Sequence, residues 1–175
     1  MEKATYRHDG PPRITLFTVI NRNTGSGGHS ALMINADERI IFDPAGTFKV
    51  GFVPERNDVL FGVTPRTEAA YIDYHARADW NVRIQELDVT LDTARMVARL
   101  AKDYGAVPKA QCSVSVTTIL GQVPGMESIA RTYFPKTLSR EFGALPGVRE
   151  RLVTDETAET WHNVIFQGRH ARSPG

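Results

Sequence analysis

The sequence predicts an α+β fold, and three observations lead to that class. Segments rich in β-branched and aromatic residues lie mainly in the first half of the chain, where they favour short strands. Apolar residues at helical spacing follow, most clearly after position 90. A set of strands followed by a set of helices is typical of an α+β protein.

The predicted strands are short runs of apolar and β-branched residues bounded by turn-forming segments. Residues 47–66 contain scattered glycine and proline and predict loops with one or two short strands. The main strand predictions are Arg13–Ile20, Ser30–Ile34, Arg39–Asp43 and Asn81–Val89, with one more at Asn163–Phe166.

The predicted helices are recognised by apolar periodicity and by their end signals. The clearest begins after Thr90, which suits an N-cap, and ends before Gly105, which suits a C′ position. A second, shorter helix begins at Cys112 and is closed by Gly121. The full set is Thr67–Asp79, Leu91–Tyr104, Cys112–Leu120, Met126–Tyr133 and Lys136–Phe142.

Composition limits the classes of function. The 175 residues predict a single domain, 1–175, and the 41% apolar content suffices for an ordinary core. With 21 Lys and Arg against 20 Asp and Glu, the chain lacks the basic surface of a nucleic-acid binder. No apolar run approaches a membrane span, and the N-terminus lacks the apolar stretch of a signal peptide, so we expect a cytoplasmic protein without a transmembrane segment.

Cys112 is the only cysteine, and its position at a helix start is the most informative feature of the sequence. The partial positive charge of a helix N-terminus lowers a thiol pKa and makes the sulfur more nucleophilic. His29 opens a glycine-led strand upstream, and a cysteine with a histidine on a separate element are the minimum parts of a thiol hydrolase or acyltransferase. The alternatives are a cysteine that only packs in the core and a structural histidine.

Asp43 is the candidate third member of this site. If the predicted hairpin has a three-residue loop at 35–37, His29 lies directly opposite Asp43 on the same face. A two-residue loop instead pairs His29 with Pro44 and places Asp43 on the other face. Asp43 also suits a purely local role, capping the turn that follows it.

No cofactor or metal site is predicted. The histidines show no zinc-ligand spacing along the chain, and one cysteine cannot build a structural zinc site. The glycine-rich segment at 25–28 lacks the Gly-Lys-Ser/Thr ending of a phosphate loop and precedes a strand rather than a helix.

The order of these elements resembles the circularly permuted branch of the NlpC-like papain-fold superfamily, which includes relatives of lecithin retinol acyltransferase. The resemblance rests on the segment 28–34, on Asp43 and on the segment 112–116, and it covers residues 13–125. It implies a permuted papain-like core in which an antiparallel sheet packs on the cysteine-bearing helix. Residues 126–175 are then a helical extension and tail.

The resemblance implies a thiol-dependent hydrolase or acyltransferase. Cys112 would be the nucleophile, His29 its base and Asp43 the group that orients the imidazole, with a thioester intermediate on an amide or ester substrate. Peptide, lipid and other small-molecule substrates all remain open, as does the oligomeric state. The alternative is a non-catalytic α+β binding domain with a structural cysteine.

Overall fold

The computed structural model describes residues 5–155, which form a seven-stranded antiparallel sheet with helices on both faces. This confirms the predicted α+β class. The strands follow the order β4-β5-β3-β2-β1-β6-β7 across the sheet. They are β1 (Arg13–Asn21), β2 (Gly27–Asn35), β3 (Arg39–Phe42), β4 (Glu55–Arg56), β5 (Val59–Leu60), β6 (Trp80–Asp88) and β7 (Arg149–Val153).

The four helices of the described range include three that the sequence predicts closely. Thr90 caps the second helix by accepting a hydrogen bond from the Thr93 N–H, and Gly105 ends it with φ of 88°. The first helix is capped in the same way by Thr64 and stops earlier than predicted. The helices are α1 (Pro65–His75), α2 (Leu91–Tyr104), α3 (Cys112–Leu120) and α4 (Pro135–Gly143).

The predicted helix at Met126–Tyr133 is wrong, because that segment forms turns and irregular backbone. Gly125 has φ of 89°, and the Glu127 carboxylate accepts the Gly125 N–H instead of supporting a helical turn. Residues 126–155 are also not purely helical, since β7 pairs with β6 at the sheet edge. The predicted strand at Asn163–Phe166 lies outside the described residues.

The sheet separates two hydrophobic cores. On one face, α2, α3 and α4 cover the larger core, which we call the three-helix core. On the other face, α1 and the segment 48–63 cover a smaller one, the α1 core. Successive residues of β2 alternate between them, so that Leu32 belongs to the three-helix core and Met33 to the α1 core. Within residues 5–155, no helix is both long and apolar enough to cross a bilayer.

Candidate active site

His29 lies near the start of β2, where the sheet is irregular. The pairing of β1 with β2 shifts between Val19 and Ile20, so the strand bends where the histidine emerges. The preceding Gly28 packs against Trp80 so closely that a Cβ atom at position 28 would lie 2.6 Å from the indole ring. The imidazole lines the same cleft as Trp80 and keeps 16% of its surface exposed.

Asp43 is buried beside His29 and is bonded to it. The His29 Nε2–H donates to Asp43 Oδ1 at 2.6 Å, and the Tyr71 hydroxyl donates to the same oxygen at 2.7 Å. Gly46 leaves room for this carboxylate, since a Cβ atom there would lie 1.8 Å from Asp43 Oδ2. Asp43 is therefore held in a space left by Gly46 and is bonded directly to the imidazole.

The register of the β2–β3 hairpin places Asp43 on the same face as His29, but its loop differs from both loops considered in the sequence. The turn comprises residues 36–38, and Asn35 still pairs with Arg39. Asn35 stays in the strand because it also pairs with Arg13 in β1. Extending this register aligns Asp43 with Ala31, so the predicted direct opposition to His29 is wrong, but the two side chains share a face as diagonal neighbours.

Cys112 is the first residue of α3, as the sequence predicts, and its side chain is buried. The thiol lies 3.9 Å from the Ser113 hydroxyl, and the neighbouring His29 side chain and Ser30 backbone lower its pKa. Ala110, two residues earlier, adopts φ of 67°, a conformation that costs energy for a residue with a Cβ atom. The chain thus turns sharply just before the helix that presents the thiol.

A pair of serines fixes the distance between the two elements that carry the thiol and the imidazole. Ser30 follows His29 on β2, and Ser113 follows Cys112 on α3. Their hydroxyls are bonded at 3.0 Å in a fully buried position. The bond joins strand to helix directly beside the reactive groups.

The charges of the three groups support one another. Burial alone would lower the pKa of His29, but the charge and hydrogen bond of Asp43, with a smaller contribution from Cys112, raise it to about 10. Burial would raise the pKa of Cys112, but the hydrogen bond and charge of His29 lower it. The pKa of Asp43 is also lowered, because His29 outweighs the effect of burial. This arrangement favours a thiolate beside an imidazolium.

Two further residues belong to the site, although the sequence does not single them out as members of it. Tyr71 and His75 lie four positions apart on one face of α1, and their rings contact each other with centroids 4.4 Å apart. The His75 ring lies 5.8 Å from the His29 ring. Their only sequence signal was the i, i+4 spacing of an aromatic residue and a histidine, which is common in helices that merely pack.

A cleft of about 290 Å³ opens beside His29 on the α1 side of the sheet. Its walls include two rings, Trp80 and Tyr74, and the small residues that follow Asp43. His29, Asp43 and His75 also place one potential metal-ligand atom each within 4.8 Å of one another. Spacing along the sequence does not reveal this group, because its members come from three separate elements.

Comparisons of the chain with protein-family models, with curated proteins and with solved structures found no match. The chemistry of the site therefore has to be read from its own geometry. That geometry bonds His29 to Asp43, and the Ser30–Ser113 bond brings the start of the Cys112 helix against the strand that carries His29.

Proposed function

We propose that the protein is a thiol-dependent hydrolase or acyltransferase that acts on an amide or ester carbonyl. One observation carries the proposal: Cys112, at a helix start, lies beside an imidazole that lowers the pKa of its thiol and whose Nε2 is bonded to the buried Asp43. A nucleophile bonded to a base that a third group orients is the arrangement that activates a thiol.

His29 acts as both base and acid in the proposed reaction. With Nε2–H held by Asp43, Nδ1 is the nitrogen left to exchange a proton with the thiol. The Cys112 thiolate attacks the carbonyl carbon, and His29 then gives its proton to the leaving amine or alcohol as the thioester forms. Water or an acceptor nucleophile next loses a proton to His29 and attacks the thioester, which releases the acyl group and restores the thiol.

The start of α3 supplies stabilisation for the oxyanion. N–H groups in the first turn of a helix have no acceptor within the helix, and the Cys112 N–H is one of them. The Ser113 hydroxyl does not serve as a second donor, since it is fully buried and bonded to Ser30. Gln111 precedes the thiol and is exposed, which leaves its side-chain amide accessible to a substrate.

The likeness to permuted papain-like enzymes rests on the order of the elements. The histidine strand comes first, the aspartate follows the partner strand of the hairpin, and the cysteine helix comes later. This helix packs against β2, so that nucleophile and base lie on neighbouring elements. We propose the papain-like relationship on this order and on the chemistry of the three side chains.

The proposal is tested by the reactivity of the single thiol. We expect iodoacetamide to alkylate Cys112 at neutral pH faster than it alkylates free cysteine. His29→Gln should slow the reaction by about tenfold for each unit by which the thiol pKa rises. His8→Gln is the matched control, because His8 bonds to Tyr6, away from the site.

Acyl transfer is tested separately with p-nitrophenyl acetate. We expect an acetyl group on Cys112, detected by mass spectrometry and removed by hydroxylamine, and no such adduct in Cys112→Ala. A thiol with the reactivity of free cysteine and no response to His29→Gln would contradict the proposal. The chain would then be an α+β binding domain with a structural cysteine.

A further inference from the structure

The group formed by His29, Asp43 and His75 has the composition of a metal site. One ligand atom from each lies within 4.8 Å of the other two. The three residues come from the start of β2, the end of the β2–β3 hairpin and the last turn of α1. Two imidazoles and one carboxylate are a donor set that suits Zn²⁺.

Two of the three side chains also have the supporting contacts that metal ligands require. The His75 Nδ1–H donates to the Tyr71 carbonyl at 2.8 Å, which fixes the tautomer with Nε2 as the coordinating nitrogen. The Tyr71 hydroxyl donates to Asp43 Oδ1 at 2.7 Å. One residue of α1 thus orients two ligands, as outer partners do in metal centres.

The site is open to solvent from one side. Both histidines line the cleft beside the sheet, whereas Asp43 is buried behind them. A zinc ion held by three protein ligands keeps a fourth position for water, and a cleft of about 290 Å³ has room for it. The negative charge of Asp43 offsets part of the charge of the ion.

We propose that His29, Asp43 and His75 bind Zn²⁺ and that the bound ion inactivates Cys112. Coordination forms bonds from the metal to one nitrogen of each histidine and to an Asp43 oxygen. It displaces the Nε2 proton of the His29 imidazolium to solvent, replaces the His29–Asp43 hydrogen bond and leaves the other ring proton on Nδ1, so that neither nitrogen can accept the thiol proton. The imidazole is then no longer the base of the thiol. The inactivation rests on the proposed function, but the metal site does not.

Cobalt substitution tests the metal site without reference to catalysis. We expect Co²⁺ to give the visible d–d bands of a nitrogen and oxygen site in the wild type and unchanged bands in Cys112→Ala. His75→Gln should weaken binding by at least about tenfold, the effect seen for far less direct partners of a metal. His8→Gln should leave the affinity as it is.

Two results would overturn the site. One is a near-ultraviolet thiolate-to-cobalt band that disappears in Cys112→Ala, since the metal would then sit on the thiol. The other is an affinity that His75→Gln does not change. If His75→Gln misfolds, the Co²⁺ affinity of Tyr71→Phe is measured instead. Loss of the hydroxyl that orients Asp43 should weaken Co²⁺ binding, and an unchanged affinity would contradict the site.

Inactivation is measured by the rate at which iodoacetamide alkylates Cys112 with and without Zn²⁺. We expect Zn²⁺ to slow alkylation of Cys112 in the wild type. In His75→Gln, the ratio of the rates with and without Zn²⁺ should return most of the way to one. Cobalt binding as expected with no zinc effect on alkylation would preserve the metal site and refute its control of the thiol. A thiol unresponsive to His29→Gln in the absence of metal would instead refute the proposed function.

Discussion

The two faces of the sheet hold different halves of the candidate site in different ways. Cys112 begins α3, one of the three helices that cover the three-helix core, and its side chain is buried. His29 lines the open cleft, and Asp43 is bonded to Tyr71 of the α1 core, which one helix and a loop-rich segment cover. The nucleophile thus belongs to the more enclosed layer, whereas its base, His29, lines the cleft.

The largest expected difference between the faces is in stability. Leu32 and Met33 are neighbours on β2, but Leu32 faces the three-helix core and Met33 lines a small cavity on the α1 side. We expect Leu32→Ala to lower the free energy of unfolding by about 4 kcal/mol and Met33→Ala by about 2 kcal/mol. Urea denaturation measures both. Equal losses would show that the faces are packed equally well.

The second prediction concerns the charge pair on the α1 side. Because the pKa of His29 is raised to about 10, the pair stabilises the fold fully below the unfolded pKa, about 6.5, and this contribution is lost as pH rises through the folded pKa. The lowered pKa of Cys112 adds a pH dependence of the opposite sign, so the stability is measured in the Cys112→Ala background. Most of the shift comes from Asp43, and it survives there.

We expect Cys112→Ala to lose on the order of 3 kcal/mol of stability between about pH 6 and about pH 10, beyond any loss in Cys112→Ala/Asp43→Asn. Urea denaturation at several pH values, with EDTA to remove metal, measures the difference between the two proteins. Parallel pH profiles would show that Asp43 does not hold the charge on His29.

The third prediction tests whether the space at Gly46 holds the Asp43 carboxylate in place. A methyl group at Gly46 would collide with the Asp43 carboxylate, whereas one at Gly51, in the same loop region, meets nothing within 4 Å. We expect Gly46→Ala to cost about 2 kcal/mol of stability and to slow alkylation of Cys112, because the carboxylate must move away from His29. Gly51→Ala should leave the alkylation rate unchanged. A normal rate in Gly46→Ala would mean that Asp43 is not needed in its place.

Local signals predicted the parts of this molecule that depend on neighbours in sequence. The ends of α2 follow from Thr90 and Gly105, and the start of α3 at Cys112 follows from the apolar run behind it. The helix prediction at Met126–Tyr133 is wrong because it gave more weight to apolar spacing than to the turn-forming residues around the segment. Apolar periodicity does not show that the Glu127 carboxylate will accept the Gly125 N–H and hold a turn there.

The rest of the site depends on contacts between distant elements. The face of Asp43 depends on the hairpin register, which two plausible loops left open and which Asn35 decides through its pairing with β1. His75 joins the site only through the tertiary packing of α1, whose Tyr71 reaches Asp43 directly after β3. No pattern within 65–75 reveals that neighbour, so the metal-capable group could be found only in three dimensions.

The smallest expected effect concerns the hydrogen bond between Ser30 on β2 and Ser113 on α3. Ser113→Ala leaves the buried Ser30 hydroxyl without its partner, which should cost about 1 kcal/mol, and the double Ser30→Ala/Ser113→Ala variant should recover part of that loss. Urea denaturation of the four proteins in this cycle gives the coupling energy. Alkylation of Cys112 should also slow in Ser113→Ala, because α3 is then free to shift relative to β2 and the Ser113 hydroxyl no longer helps to stabilise the thiolate. Strictly additive losses with an unchanged rate would mean that helix packing alone sets the distance between thiol and imidazole.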